Sequence, residues 1–164
     1  MTVMRYLDHA ASAPLDPRVA EVMAAVAALP GNPSSVHGYG RARRTEIDRA
    51  RASVAALVGV EPSAVTFTSG ATEANALALI GAWRALTRKR QERPFRILTS
   101  PIEHASVREA LAALATDGAV IDTLPVGAGG VVSAADVAAA ITPDTVLVSV
   151  MWVNNVLGTV QPVA

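Results

Sequence analysis

The sequence predicts an α/β fold, part of a mostly parallel sheet flanked by helices, and three observations predict it. Short runs of β-branched and apolar residues at 65–67, 95–99, 120–124 and 145–153 alternate with segments of helical character. That order builds parallel strands through helical crossovers. The run 145–153 is nearly unbroken in apolar and β-branched residues, as a strand buried on both faces of a parallel sheet would be. A chain of 164 residues with 51% hydrophobic content can also bury one sizeable core.

Bulk composition excludes several classes. Fourteen basic and fourteen acidic residues give a formal net charge of zero, so no polyanion-binding surface is expected and nucleic acid is not an expected partner. With no cysteine in the chain, disulfides, cysteine-based metal sites and a cysteine nucleophile within these residues are excluded, and no metal site is expected. The N-terminus lacks a basic region followed by an apolar core, and no apolar run reaches the roughly 18 residues of a membrane span. No membrane association is therefore expected, and a cytoplasmic location is the default.

Taken in order, residues 1–15 read as a short extended arm. Asp16-Pro17 opens a helix, with an N-cap and a proline at the first position, and Pro30-Gly31 stops it near Leu29. The polar loop 31–37 precedes a long helix whose apolar positions Ile47, Ala50, Val54, Leu57 and Val58 keep helical spacing. Gly59 ends it. The arginines of that helix alternate with acids, which favours a solvated face over an anion-binding patch. Residues 88–94, rich in Arg and containing Lys89, form a charged connection. A strand at 95–99, a helix at about 105–115, a strand at 120–124, a glycine turn at 127–130 and a short helix capped by Ser133 follow. The 145–153 strand comes last.

Polar groups gather where strands end. The stretch Thr68-Ser69-Gly70-Ala71-Thr72-Glu73 lies between the 65–67 run and the helical stretch that begins near Ala74. A glycine turn, small side chains and the unpaired N–H groups of a helix N-terminus make it a candidate phosphate seat; the same residues can serve only as a helix cap. Glu103-His104 follows the second strand and Asn154-Asn155 the last. Alone, a histidine there is more often a satisfied loop residue and Asn-Asn more often turn chemistry. Three such groups at the carboxyl edge of one sheet argue for a shared site.

These residues, with Tyr6-Leu7-Asp8, Pro14-Leu15-Asp16-Pro17, the loop Gly31-Asn32-Pro33-Ser34-Ser35-Val36-His37 and Gly158-Thr159-Val160-Gln161-Pro162, come in the order and approximate spacing of the NifS-like cysteine desulfurases of the class V aminotransferase group. The sequence resembles that family over nearly its whole length. The resemblance implies part of the large domain of a fold type I pyridoxal 5'-phosphate enzyme, with an arm at 1–15 and the incomplete cofactor domain at 16–164. It implies that Gly70, Ala71 and Thr72 hold the cofactor phosphate, that His104 stacks on the pyridine ring and moves protons at the substrate, and that Asn155 hydrogen-bonds the cofactor's phenolic oxygen. In such enzymes L-cysteine is converted to L-alanine, and its sulfur passes to a protein cysteine as a persulfide. A homodimer and a sulfur-acceptor or scaffold protein are the implied partners.

The sequence departs from the family at Val156, where Glu is usual, at Ala76, where Asn is usual, and at Ser12-Ala13, where Thr-Thr is usual. Its single lysine, Lys89, stands in the charged connection. The resemblance places the cofactor-binding lysine, the aspartate facing the pyridine nitrogen and the sulfur-accepting cysteine beyond Ala164, so the 164 residues alone are expected to be inactive. The alternatives are another class V enzyme, such as an aminotransferase, a selenocysteine lyase or an epimerase, and a noncatalytic interaction module.

Overall fold

The computed structural model describes residues 5–88 and 94–163; Lys89 and most of the charged connection lie outside them. The chain divides into two compact units, Met1–Phe67 and Thr68–Ala164.

The first unit is helical. Within residues 5–15 the backbone folds at Asp8, whose carbonyl accepts from the N–H groups of Ala11 and Ser12, so the expected extended arm carries a turn. Helix α1 (Pro17–Ala27) has Asp16 as its N-cap and Pro17 at its first position. The Asp16 carboxylate also accepts two bonds from the Arg18 guanidinium, and this partner, more than the Arg18 amide it also caps, lowers its pKa. Helix α2 (Gly38–Val58) starts at an N-cap His37 and ends on Gly59 at φ 70°, the left-handed conformation glycine adopts without penalty. The loop 31–37 lies so close to its first turn that a Cβ on buried Gly40 would stand 2.2 Å from the Ser35 carbonyl oxygen. The apolar stripe of α2 is open, with Leu57 85% exposed.

Residues 65–67 do not form the expected strand. Both main-chain groups of Val65 are engaged locally: its N–H donates to the Pro62 carbonyl of a 3-10 turn, and its carbonyl accepts from the Arg51 guanidinium, which also lies over the Phe67 ring. Neither group of Val65 is then offered to a ladder.

The second unit is the α/β element. It runs α3 (Ala71–Thr87), β1 (Arg96–Thr99), α4 (Ala105–Thr116), β2 (Val120–Thr123), α5 (Ala134–Ala140) and β3 (Thr145–Ser149). The strands form a parallel sheet in the order β2-β1-β3. Alternation along β1 sends Ile97 to a cluster with Leu79, Trp83, Val107, Leu111 and Leu114 of α3 and α4, and Leu98 to the other face with Leu124, Val132 and Val137. The central strand buried on both faces is therefore β1, not the 145–153 run. That run forms a ladder only as far as Ser149 and sits at the sheet edge, half exposed. Across the β1–β2 pair, Arg96 and Asp122 form two charge-assisted bonds of 2.7 and 2.6 Å; both side chains are about one-third exposed, which limits the pair to about 1 kcal/mol. Among the described residues no helix is long and apolar enough to cross a membrane.

Candidate active site

With β1 between β2 and β3, the chain leaves β1 toward one neighbour and later returns to the other side. This is the switch point at which open parallel sheets open a crevice beyond their strand ends. The segments that emerge there, 100–104 after β1 and 150–155 after β3, are tied together by a buried carboxylate. Glu103 is 3% exposed, and its Oε1 accepts from Ser100 Oγ at 2.9 Å and from the Met151 N–H at 2.7 Å. Taking that N–H out of the ladder ends β3. Asn154, also buried, donates through Nδ2 to the Ile102 carbonyl at 3.0 Å and accepts at Oδ1 from the N–H groups of Val156 and Leu157, at 2.9 and 2.8 Å. The turn carrying Asn155 is thus pinned to the segment carrying His104. The Asn155 amide itself makes no hydrogen bond to the described residues.

Helix α3 begins without a side-chain cap. Its N-cap is Gly70, and the first intrahelical bond runs from the Ala74 N–H to the Gly70 carbonyl, so the N–H groups of Ala71 and Thr72 have no acceptor in the helix. The chain bends at Ser69 and Gly70, with Gly70 itself fully extended at φ 167° and ψ 179°; its further contribution is the absence of a capping oxygen and of a Cβ in open space. Glu73 reaches back, accepting at Oε2 from Ser69 Oγ at 2.6 Å and from the Ser69 N–H at 2.7 Å. Those bonds, the hydroxyl's first, hold its carboxyl below the usual range.

His104 is the N-cap of α4. Its Nδ1 lies 3.2 Å from the Ser106 N and 2.8 Å from Ser106 Oγ, and the Ser106 hydroxyl oxygen lies 2.9 Å from Asn75 Nδ2 on α3. The imidazole lines three adjoining clefts. One, of about 360 Å³, includes Ala71, Asn75, Glu103 and Met151; a second, of about 400 Å³, includes Thr72, Ala76 and Ser106; the third, of about 490 Å³, includes Arg108, Asn155 and Val156. Ala71, Thr72 and Asn155 each line a different one of these clefts, and His104 lines all three. Gly70 lines none of the three.

Asn75 and Ser106 were not legible as site residues. Ser106 follows His104, which stands just before the expected helix, by two positions, a spacing at which a hydroxyl reaches a helix cap, and that was the available signal. Asn75, 31 positions from Ser106, gave none.

The aminotransferase class-V family model matches residues 5–164. The chain is 43% identical to the IscS-like cysteine desulfurase of Mycobacterium tuberculosis, over 98% of this chain and 42% of that protein. Among solved structures it resembles a NifS-like protein, with TM-score 0.88 and 37% identity over 94% of this chain and 42% of that one. It also resembles SspA in complex with cysteine, with TM-score 0.87 and 38% identity over 97% of this chain and 45% of that one. The chain thus spans less than half the length of these relatives. With its strand order, switch-point cleft and family match in agreement, the chain belongs to the aminotransferase class-V family.

Proposed function

We propose that the whole protein containing this chain is a pyridoxal 5'-phosphate-dependent cysteine desulfurase, which converts L-cysteine to L-alanine and passes the sulfur on as an enzyme persulfide. The observation that carries this reading is that exposed His104, at the sheet's switch point, lines all three clefts that Ala71, Thr72 and Asn155 line one each. The donor set fits the cofactor: uncapped helix N–H groups at Ala71 and Thr72 suit a phosphate dianion at the positive end of α3. His104 presents a flat ring that can stack on a pyridine, and the free Asn155 amide can donate to a phenolic oxygen. When bound, the cofactor supplies the electron sink for breaking bonds at the substrate's α and β carbons. In this assignment Gly70, Ala71 and Thr72 seat the phosphate, Asn155 orients the ring, and His104 holds or moves a proton at the substrate. One solved relative is in complex with cysteine, which supports L-cysteine as the substrate.

The chain has no cysteine, and its single lysine, Lys89, lies outside the described residues. The covalent steps are assigned to the rest of the whole protein, and residues 1–164 alone are inactive in this reading. Residues 16–164 are the N-terminal part of the cofactor domain and 1–15 its arm. The whole protein works as a cytoplasmic homodimer that hands sulfur to an acceptor or scaffold protein. Another class V reaction is the second reading, favoured by Val156, which lines the cleft in the position where the resemblance expects Glu.

The test is His104→Ala in the longest form the gene encodes, assayed for alanine release from L-cysteine and for cofactor content. Retained cofactor with turnover slowed about 10²- to 10⁴-fold, the range of general acid–base groups, is expected. Near-normal turnover would remove His104 from the chemistry, and alanine-free turnover of another amino acid would favour the second reading.

A further inference from the structure

We infer that Asn75 and Ser106 are positioning residues that hold His104 as the tautomer with its proton on Nε2. The direction of each bond follows from donor and acceptor counting. A backbone N–H can only donate, so the Ser106 N–H at 3.2 Å requires a lone pair on Nδ1. With Nδ1 an acceptor, the 2.8 Å contact to Ser106 Oγ must run from hydroxyl to ring. The hydroxyl proton is then committed, and the group facing its oxygen has to be a donor. Asn75 presents Nδ2 there at 2.9 Å, an assignment the rest of the chain of bonds dictates. The sequence Asn75 N–H to Ser106 O–H to His104 Nδ1 is complete, leaves no proton in conflict, and joins the second turn of α3 to the cap of α4.

Two donors on Nδ1 fix the ring's rotation as well as its tautomer, which leaves Nε2–H as the nitrogen able to serve a ligand in the adjoining clefts. Asn75 and Ser106 touch neither cofactor nor substrate in this account; they act through His104. The functional weight of the inference rests on the reading above, whereas its structural content does not.

The two are separated by using two measurements. Nitrogen-15 spectra of histidine-labelled protein, in the longest form the gene encodes and without cofactor, are recorded at a pH of about 8.5, above the ordinary imidazole range; His104→Ala identifies the resonances. Wild type is expected to show Nδ1 as a hydrogen-bonded, unprotonated nitrogen and Nε2 as the protonated one. Ser106→Ala keeps the backbone N–H donor at 3.2 Å and loses the shorter hydroxyl donor at 2.8 Å, so the hydrogen-bond shift at Nδ1 should shrink and some of the other tautomer appear, and Ser106→Thr should restore the wild-type spectrum. Asn75→Asp is the sharper variant. A carboxylate competes for the Ser106 hydroxyl proton, which takes the side-chain donor away from Nδ1 and leaves the serine oxygen able to accept from the ring, so the Nδ1–H population should rise. Spectra unchanged in both Ser106→Ala and Asn75→Asp would overturn the inference. In the loaded enzyme Ser106→Ala should lower kcat about tenfold with a smaller change in KM, as outer-shell partners of functional histidines do. Altered spectra with unchanged kcat in Ser106→Ala and His104→Ala together would leave the bond network standing and remove His104 from the chemistry of the proposed function instead.

Discussion

Replacing Asn154 by alanine removes four hydrogen bonds at once: one to the Ile102 carbonyl, two from the N–H groups of Val156 and Leu157, and a weak one to Met151 Sδ that adds little. Val156 and Leu157 are themselves exposed, so water can reach their stranded N–H groups, and the lower end of the cost applies, about 1 kcal/mol per bond. The sum, about 3 kcal/mol, makes local opening of the 154–158 turn about 100-fold more frequent. Amide hydrogen exchange reads this directly, as an equal loss of protection at Val156 and Leu157 while the strand amides of β1 keep theirs. Asn154→Asp supplies the control. It keeps both acceptor bonds and loses only the Nδ2 donor to Ile102 and Met151, so Val156 and Leu157 should stay within about tenfold of wild type. If alanine leaves their exchange unchanged, or aspartate costs them as much as alanine does, the side chain is not what holds the turn.

Two further outcomes follow from the core and from the start of α3. Ile97→Ala empties a site with 0% exposure at the centre of the α3–α4 cluster and should cost about 2–5 kcal/mol in urea unfolding; a loss under 1 kcal/mol would mean that the cluster closes over the gap. The Glu73 carboxyl is lowered in the folded state by Ser69, so its contribution is present above the unfolded glutamate range, near pH 4.3, and is lost as pH falls through the lower folded value. The Ser69 amide resonance should titrate on that acid side, and Glu73→Gln should abolish the titration; a Ser69 midpoint above about 4.3 would contradict the assignment.

The helices and β1 were legible because their signals are local: Asp16-Pro17, Gly59 and Ser133 mark element ends, and Ile97 and Leu98 alternate within four residues. What escaped depends on distant partners. Residues 65–67 look like a strand until the Arg51 guanidinium, 14 positions away, takes the Val65 carbonyl. The 145–153 run reads as one strand until the Glu103 carboxylate, 48 positions away, takes the Met151 N–H. His104 stood out by its position after a strand, whereas the bonds that orient it require α3 and α4 to be side by side.

The strand order also sets an entropy. Arg96 pairs with Val120, 24 positions on, and with Thr145, 49 positions on. Doubling the length of chain that must be closed adds about 0.6 kcal/mol to the closure cost. Of the two pairings that make β1 the central strand, the one whose carboxyl ends form the cleft is therefore the more expensive to close, and Glu103 and Asn154 are the clasps that offset the difference by fastening segments about 50 positions apart.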